Sequence, residues 1–172
     1  TSIGSDAFRA CNSLISVQLP ESLTSLGSSA FHGCENLISV NLPQKIKSLN
    51  SYTFKNCENL KAITLPEGLT SISYNVFEGS SSLTSIVIPD SVTSIGRRAF
   101  YGCAELTSIV IPDSVTSIGR EAFSGCTGLT SVVIPDSVVA IGEWAFYKCT
   151  SLTSAVCSAG LAEIGDIFSH CT

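Results

Sequence analysis

The residues able to do chemistry in this chain of 172 residues are eight cysteines, two histidines, 14 carboxylates and a few arginines and outward aromatics. The cysteines come first. Cys11, Cys34, Cys57, Cys103, Cys126 and Cys149 keep a 23-residue clock, with Ser80 at the missing beat. Cys171 joins once a one-residue deletion is allowed, and Cys157 takes an apolar slot held elsewhere by Leu19 or Ile134. An even cysteine count invites a disulfide framework. Stacked, equivalent positions nevertheless point their Cβ atoms in parallel about 4.8 Å apart, whereas a disulfide needs roughly 3.8 Å. The ladder is therefore predicted to be buried free thiols packed as small hydrophobes. Cys157 and Cys171 are the pair off the strict register, and so the one candidate bridge. A metal or redox centre would need C-x-x-C pairs or histidine partners at ligand spacing. The chain offers neither, His170 beside Cys171 being a single adjacent pair, so no metal or cofactor is expected.

Catalytic constellations fare no better. Ser25, Ser48, Ser71, Ser94 and Ser117 recur at one slot, which marks structure, whereas a nucleophile is singular and needs a base within reach. His32 shares its slot with Arg9, Lys55, Glu78, Tyr101 and Ser124, as a solvent-facing position would. Glu21, Gln44, Glu67, Asp90, Asp113 and Asp136 each follow a proline. Two readings stand for them: turn residues whose side chains cap backbone amides, or a carboxylate row relieved by a cation. Phosphate-binding glycine patterns are missing, as are N-x-S/T sequons. No enzyme is expected.

Composition narrows the classes further. The net charge is −5 and only 13% of residues are charged, so the basic clusters needed for nucleic acid are not in prospect. No run of eighteen apolar residues exists to form a membrane-crossing helix. Hydrophobic content of 44% suffices for a core, and Ser and Thr together number 43.

Repetition dictates what positions these residues. Pro20, Pro43, Pro66, Pro89, Pro112 and Pro135 are spaced by 23, as are the phenylalanines from Phe8 to Phe146, and Phe168 arrives one residue early. Residues 83–97 and 106–120 are identical. A unit of 23 residues cannot bury its own apolar face and must stack on its neighbours. Leu106, Ile109 and Ile111 lead into Pro112 with the period-2 alternation of a strand, which proline ends. Val115 to Ile118 reads as a second extended stretch. A glycine follows in six units (Gly4, Gly27, Gly96, Gly119, Gly142, Gly165) and suits a positive φ or a tight corner. Ala122, Phe123 and Cys126 then have the spacing of one side of a single helical turn. The expected fold is an α/β-type solenoid with short parallel strands and one short helical turn per 23-residue repeat. It forms a single domain over 1–172 of about seven and a half repeats.

The pattern Leu-x-x-Ile-x-Leu-Pro-x-x-Leu-x-x-Ile-Gly-x-x-Ala-Phe-x-x-Cys-x-x resembles the BspA-like, or Treponema-type, leucine-rich repeat, from Ile3 to Cys171. The resemblance implies a right-handed leucine-rich repeat coil. It also implies a microbial cell-surface or secreted protein that binds host extracellular-matrix or cell-surface proteins, or other cells.

A partner would read the slots that refuse to repeat. Arg97, Arg98, Tyr101, Arg120, Trp144 and Tyr147 fall on three successive repeats and are of the types enriched at interface hot spots. Their alternative reading is that the aromatics cover neighbouring repeats while the arginines solvate the face. A second candidate is the valine stripe Val87, Val110, Val133 and Val156, whose slot is polar in Gln18, Asn41 and Thr64. An exposed apolar strip can mark a binding site, although β-branched residues also suit a strand for its own sake. A protein-binding module is the first expectation, and a rigid spacer presenting another domain is the alternative. Thr1 opens mid-repeat without Met, which suggests a segment of a longer protein. The decay at Ala155, Cys157, Ser158 and Ala159-Gly160 suggests a terminal repeat. Uncapped ends would permit end-to-end self-association.

Overall fold

The structure is a computed structural model that describes residues 1–157, 161 and 166–171. Ser158, Ala159-Gly160 and Gly165 lie outside the described residues. The chain winds as a parallel-strand β-solenoid of about seven turns, each residue pairing with the one 23 positions away. One stack of strands comprises β2 (Ser16–Gln18), β4 (Ser39–Asn41) and β6 (Ala62–Thr64). Further along the axis the same slot forms β10 (Ser131–Ile134) and β12 (Ser154–Cys157). Between them, 84–88 and 107–111 carry no regular strand. They nevertheless keep the strand's alternation, with Ile86 and Ile88 buried around exposed Val87.

The second extended stretch is a run of two-residue strands. The first pair is β1 (Ser2–Ile3) with β3 (Ser25–Leu26). A five-stranded sheet follows: β5 (Ser48–Leu49), β7 (Ser71–Ile72), β8 (Ser94–Ile95), β9 (Ser117–Ile118) and β11 (Ala140–Ile141). The prolines turn one stack into the other, as in the bonds Leu23 N to Pro20 O and Val92 N to Pro89 O. Of the post-proline residues Gln44 accepts a backbone N–H, that of Glu67 at 3.2 Å, and the acids at this slot cap no backbone amide among the described residues. Ser91, Ser114 and Ser137 one slot on donate instead to Leu69 O, Val92 O and Val115 O of the preceding rung.

The expected helical turn does not form. Among the described residues the one helical element is a three-residue 3-10 turn, Asp166–Phe168. An α-helix requires N–H groups to bond four residues back. Here they point along the solenoid axis: Asp6, Phe8 and Ala10 N donate to Ser28, Ala30 and His32 O of the next rung at 3.0, 2.8 and 2.7 Å. The same triplet recurs at Arg98, Phe100 and Gly102. Aiming alternate peptides the same way requires left-handed residues. Asp6, Ser29, Tyr52, Asn75, Arg98, Glu121 and Trp144 accordingly all have φ between 52° and 63°. A left-handed non-glycine residue costs about 1–3 kcal/mol, which the rung-to-rung bonds offset.

The repeated glycines serve another purpose than the one expected. Gly27, Gly96, Gly119 and Gly142 are absent from the positive-φ positions. A Cβ on Gly119 would sit 2.4 Å from Arg97 N, and one on Gly142 would sit 2.2 Å from Arg120 N. The slot is small because the backbone of the rung below passes directly beneath it.

Phenylalanine fills the core. Phe8, Phe31, Phe54, Phe77, Phe100, Phe123, Phe146 and Phe168 form one column with ring centroids 5.0–5.7 Å apart and planes within 20° of parallel. Phe168 holds its place although its repeat is one residue short. Phe100→Ala, in the middle of the column, should lower stability by about 3–5 kcal/mol. Urea unfolding followed by circular dichroism checks this, and a loss below ~1 kcal/mol would show that the column is not a principal support.

Candidate functional site

Inward slots are fixed by stacking, so chemical variety is confined to outward ones, and it gathers on one side. All four arginines, all four tyrosines, the single tryptophan and both histidines lie in the turn segments between the glycine and cysteine slots. The left-handed slot presents one residue of these segments per rung, with Arg98, Glu121 and Trp144 in succession.

The structure brings the six predicted residues of this side together. Arg97, Arg98, Tyr101, Arg120, Trp144 and Tyr147 line one concavity of about 500 Å3. Sequence reasoning missed what organises it. Glu121, only 6% exposed, sits between two guanidinium groups. Its Oε2 accepts from Arg98 Nε at 2.7 Å and lies 2.6 Å from Arg98 Nη2, while its Oε1 is 3.0 Å from Arg120 Nε. The hydrogen bond to Glu121 raises the pKa of Arg98 above the ordinary arginine value. The two guanidinium groups also lie over aromatic rings, Arg98 5.1 Å from the centre of Tyr101 and Arg120 4.6 Å from that of Trp144. Trp144, Tyr147 and His170 continue the wall, with centroid spacings of 6.1 and 5.1 Å. Asp166, Ser124 and Ser169 complete the lining. Arg97 is exposed and makes no ion pair among the described residues. A signal for Glu121 existed, since it occupies the slot of Arg98 one repeat later and follows Arg120 directly.

The valine stripe is elsewhere. Val87, Val110 and Val133 are 80%, 77% and 60% exposed, and Val156 extends the row. They lie on the strand side, where Val87 borders a shallow concavity with Asn41 and Thr64. The structure does not bring them to the arginine–aromatic cleft.

Comparison with known proteins places this architecture. The family profile described as "BspA type Leucine rich repeat region" matches in six copies over residues 1–106 and 93–172. The chain belongs to the BspA-type leucine-rich repeat family. Among solved structures, this BspA-type chain is similar to the leucine-rich repeat protein TpLRR of T. pallidum. They share 34% identity over 83% of this chain and 69% of that one, with a TM-score of 0.79. A Bacteroides ovatus leucine-rich repeat protein is 26% identical over 99% and 56% of the two chains, with a TM-score of 0.59. The pneumococcal vaccine antigen PcpA is 26% identical over 98% and 51%, with a TM-score of 0.68. The chain thus spans about half to two thirds of the length of these structures. No similar protein is found among those of curated function.

In this BspA-type solenoid the cysteines are structural. All eight are free thiols, Cys157 and Cys171 included. From Cys34 to Cys149 each ladder sulfur donates to the carbonyl of the phenylalanine 26 residues before it, as Cys57 does to Phe31 O and Cys126 to Phe100 O at 3.2 Å, and Cys171 does so to Phe146 O, 25 residues back. Ser80 substitutes by donating to Phe54 O at 3.0 Å. Burial raises the pKa values of Cys34, Cys57, Cys103, Cys126 and Cys149, that of Cys149 to about 12, so these sulfurs are poor nucleophiles and poor metal ligands. Cys11 in the first rung is exposed. The described residues hold no cluster of three metal-ligating side chains, and the post-proline acids simply face solvent. His32 is half-buried, and burial together with Arg9 and Lys55 lowers its pKa. Titration with a thiol reagent at pH 8 should find Cys11 fast, Cys34, Cys57, Cys103, Cys126 and Cys149 silent until unfolding, and eight thiols in denaturant. Fewer than eight without reductant would reveal a disulfide and contradict the ladder's free state.

Proposed function

We propose that this BspA-type solenoid is a non-enzymatic, protein-binding module of a microbial cell-surface or secreted protein, and that it docks its partner on the turn side. The observation that carries this reading is the segregation of every arginine, tyrosine and tryptophan to that side, six of them around one cleft. Trp, Tyr and Arg are the residues on which interface energies concentrate, and a fold that needed only to stack would have no reason to sort them. A surface location is supported by the likeness to a pneumococcal vaccine antigen. Host extracellular-matrix and cell-surface proteins are the partners this location makes available. Arg97, Arg98, Tyr101, Arg120, Trp144 and Tyr147 form the principal docking site, and the stripe Val87, Val110 and Val133 is a secondary one. The chain should be captured from solution by at least one member of a panel of immobilised matrix proteins and intact host or bacterial cells. The double variant Trp144→Ala/Tyr147→Ala should weaken that capture at least about tenfold, as loss of hot-spot residues does. Capture indifferent to the substitutions would remove the cleft from the interface, and no capture at all would favour a spacer.

A further inference from the structure

We infer that the cleft of the turn side recognises an acidic segment of a protein partner, through Arg97, Arg98 and Arg120 held in place by the buried carboxylate of Glu121. The inference rests on the docking reading above and adds the chemistry of the partner. Glu121 engages Arg98 through Nε and Nη2 and Arg120 through Nε. Arg120 Nη1 also lies 3.9 Å from Oε2 of the exposed Glu143, while Arg98 Nη1 and Arg120 Nη2 appear in none of these bonds. Tyr101 and Trp144 each lie against one guanidinium, and an aromatic ring takes no N–H hydrogen bond from its edge. Arg97 adds a third guanidinium at the rim without an ion pair among the described residues.

Charge favours the assignment. In a chain of net charge −5, the lining of this cleft carries three arginines against Glu121 and Asp166, with the solvent-exposed Glu143 at its margin 3.9 Å from Arg120. The carboxylate of Glu121 faces guanidinium on both sides, so its effect is mainly to fix their geometry. Tyr101 and Trp144 each hold one guanidinium against a ring and so limit where it can swing before an anion arrives. Planar guanidinium edges suit carboxylates, which they can engage in paired hydrogen bonds. A concavity of about 500 Å3 accommodates a few side chains of an extended segment. Glu121 is therefore a positioning residue, and the arginines are the contacts.

The single tryptophan lies in the cleft beneath Arg120, so its emission reports occupancy directly. The test titrates the chain with a synthetic decapeptide rich in Asp and Glu, with its Asn/Gln counterpart, and with a heparin oligosaccharide. The acidic peptide should change Trp144 emission saturably, and added salt should weaken the effect. Arg97→Gln/Arg120→Gln should weaken binding at least about tenfold, and Arg97→Gln alone should weaken it in part while leaving the thermal midpoint unchanged, because Arg97 is exposed and makes no ion pair among the described residues. Glu121→Gln should weaken it with the arginines still present, and Glu121→Asp should restore part of it. An absent or non-saturating response would overturn the inference, as would equal binding of the Asn/Gln peptide or insensitivity to the arginine variant. Tighter binding of the heparin oligosaccharide than of the peptide would replace the acidic segment with a sulfated glycan. Failure of this inference is distinguishable from failure of the docking reading. If only the inference fails, partner capture still falls with Trp144→Ala/Tyr147→Ala but not with the arginine variant.

Discussion

Everything in this molecule answers to one constraint: each rung lies about 5 Å above an equivalent copy of itself. The phenylalanine column shows it most directly, with eight rings stacked at 5.0–5.7 Å. At that distance whatever occupies a slot meets its own equivalent, so inward slots hold apolar residues, and glycine recurs where two backbones nearly touch, giving way to Asn50 and Ser73 in two rungs. The constraint extends to hydrogen bonding. Thr93 and Thr116 place both N–H and hydroxyl on the carbonyl of the same slot one rung before. The cysteine slot asks for a small buried side chain that donates to a phenylalanine carbonyl, which is why Ser80 can stand there.

Much of this was legible in the sequence because spacing is a one-dimensional record of stacking. Proline and phenylalanine at intervals of 23 define the rung, alternation before the proline defines the strand, and a cysteine in register must be a free thiol. The turn segment was misread for a physical reason. Ala-Phe-x-x-Cys has the apolar spacing of a helical turn, but side-chain periodicity does not say where backbone N–H groups find partners. Here the acceptors lie a full repeat away. The left-handed slot was hidden too, since Arg98, Glu121 and Trp144 are residues that local preference would not put there.

The site followed the same division. Gathering Arg97, Arg98, Tyr101, Arg120, Trp144 and Tyr147 required only the repeat length and a rise per rung, and the structure places them around one cleft. The buried role of Glu121 was not legible, because a carboxylate in a variable slot reads as solvated until its two guanidinium neighbours are seen closing over it. The repeat thus separates its tasks: slots that stack carry the fold, and slots released from stacking carry what distinguishes one rung from another.

The central claim is that stability depends on commensurate stacking of 23-residue rungs. It is tested most directly by excising one whole unit, residues 83–105, so that Ser82 joins Leu106, and comparing this chain in urea with one from which only residues 83–104 are removed. Full excision should leave a shorter solenoid that unfolds in one cooperative transition at a modestly lower midpoint. Excision one residue short leaves a single 24-residue unit mid-coil, whose surplus residue must bulge out of one junction while the later rungs stay in register among themselves, and this chain should unfold at a lower midpoint than the full excision. Equal stability of the two chains would contradict the account.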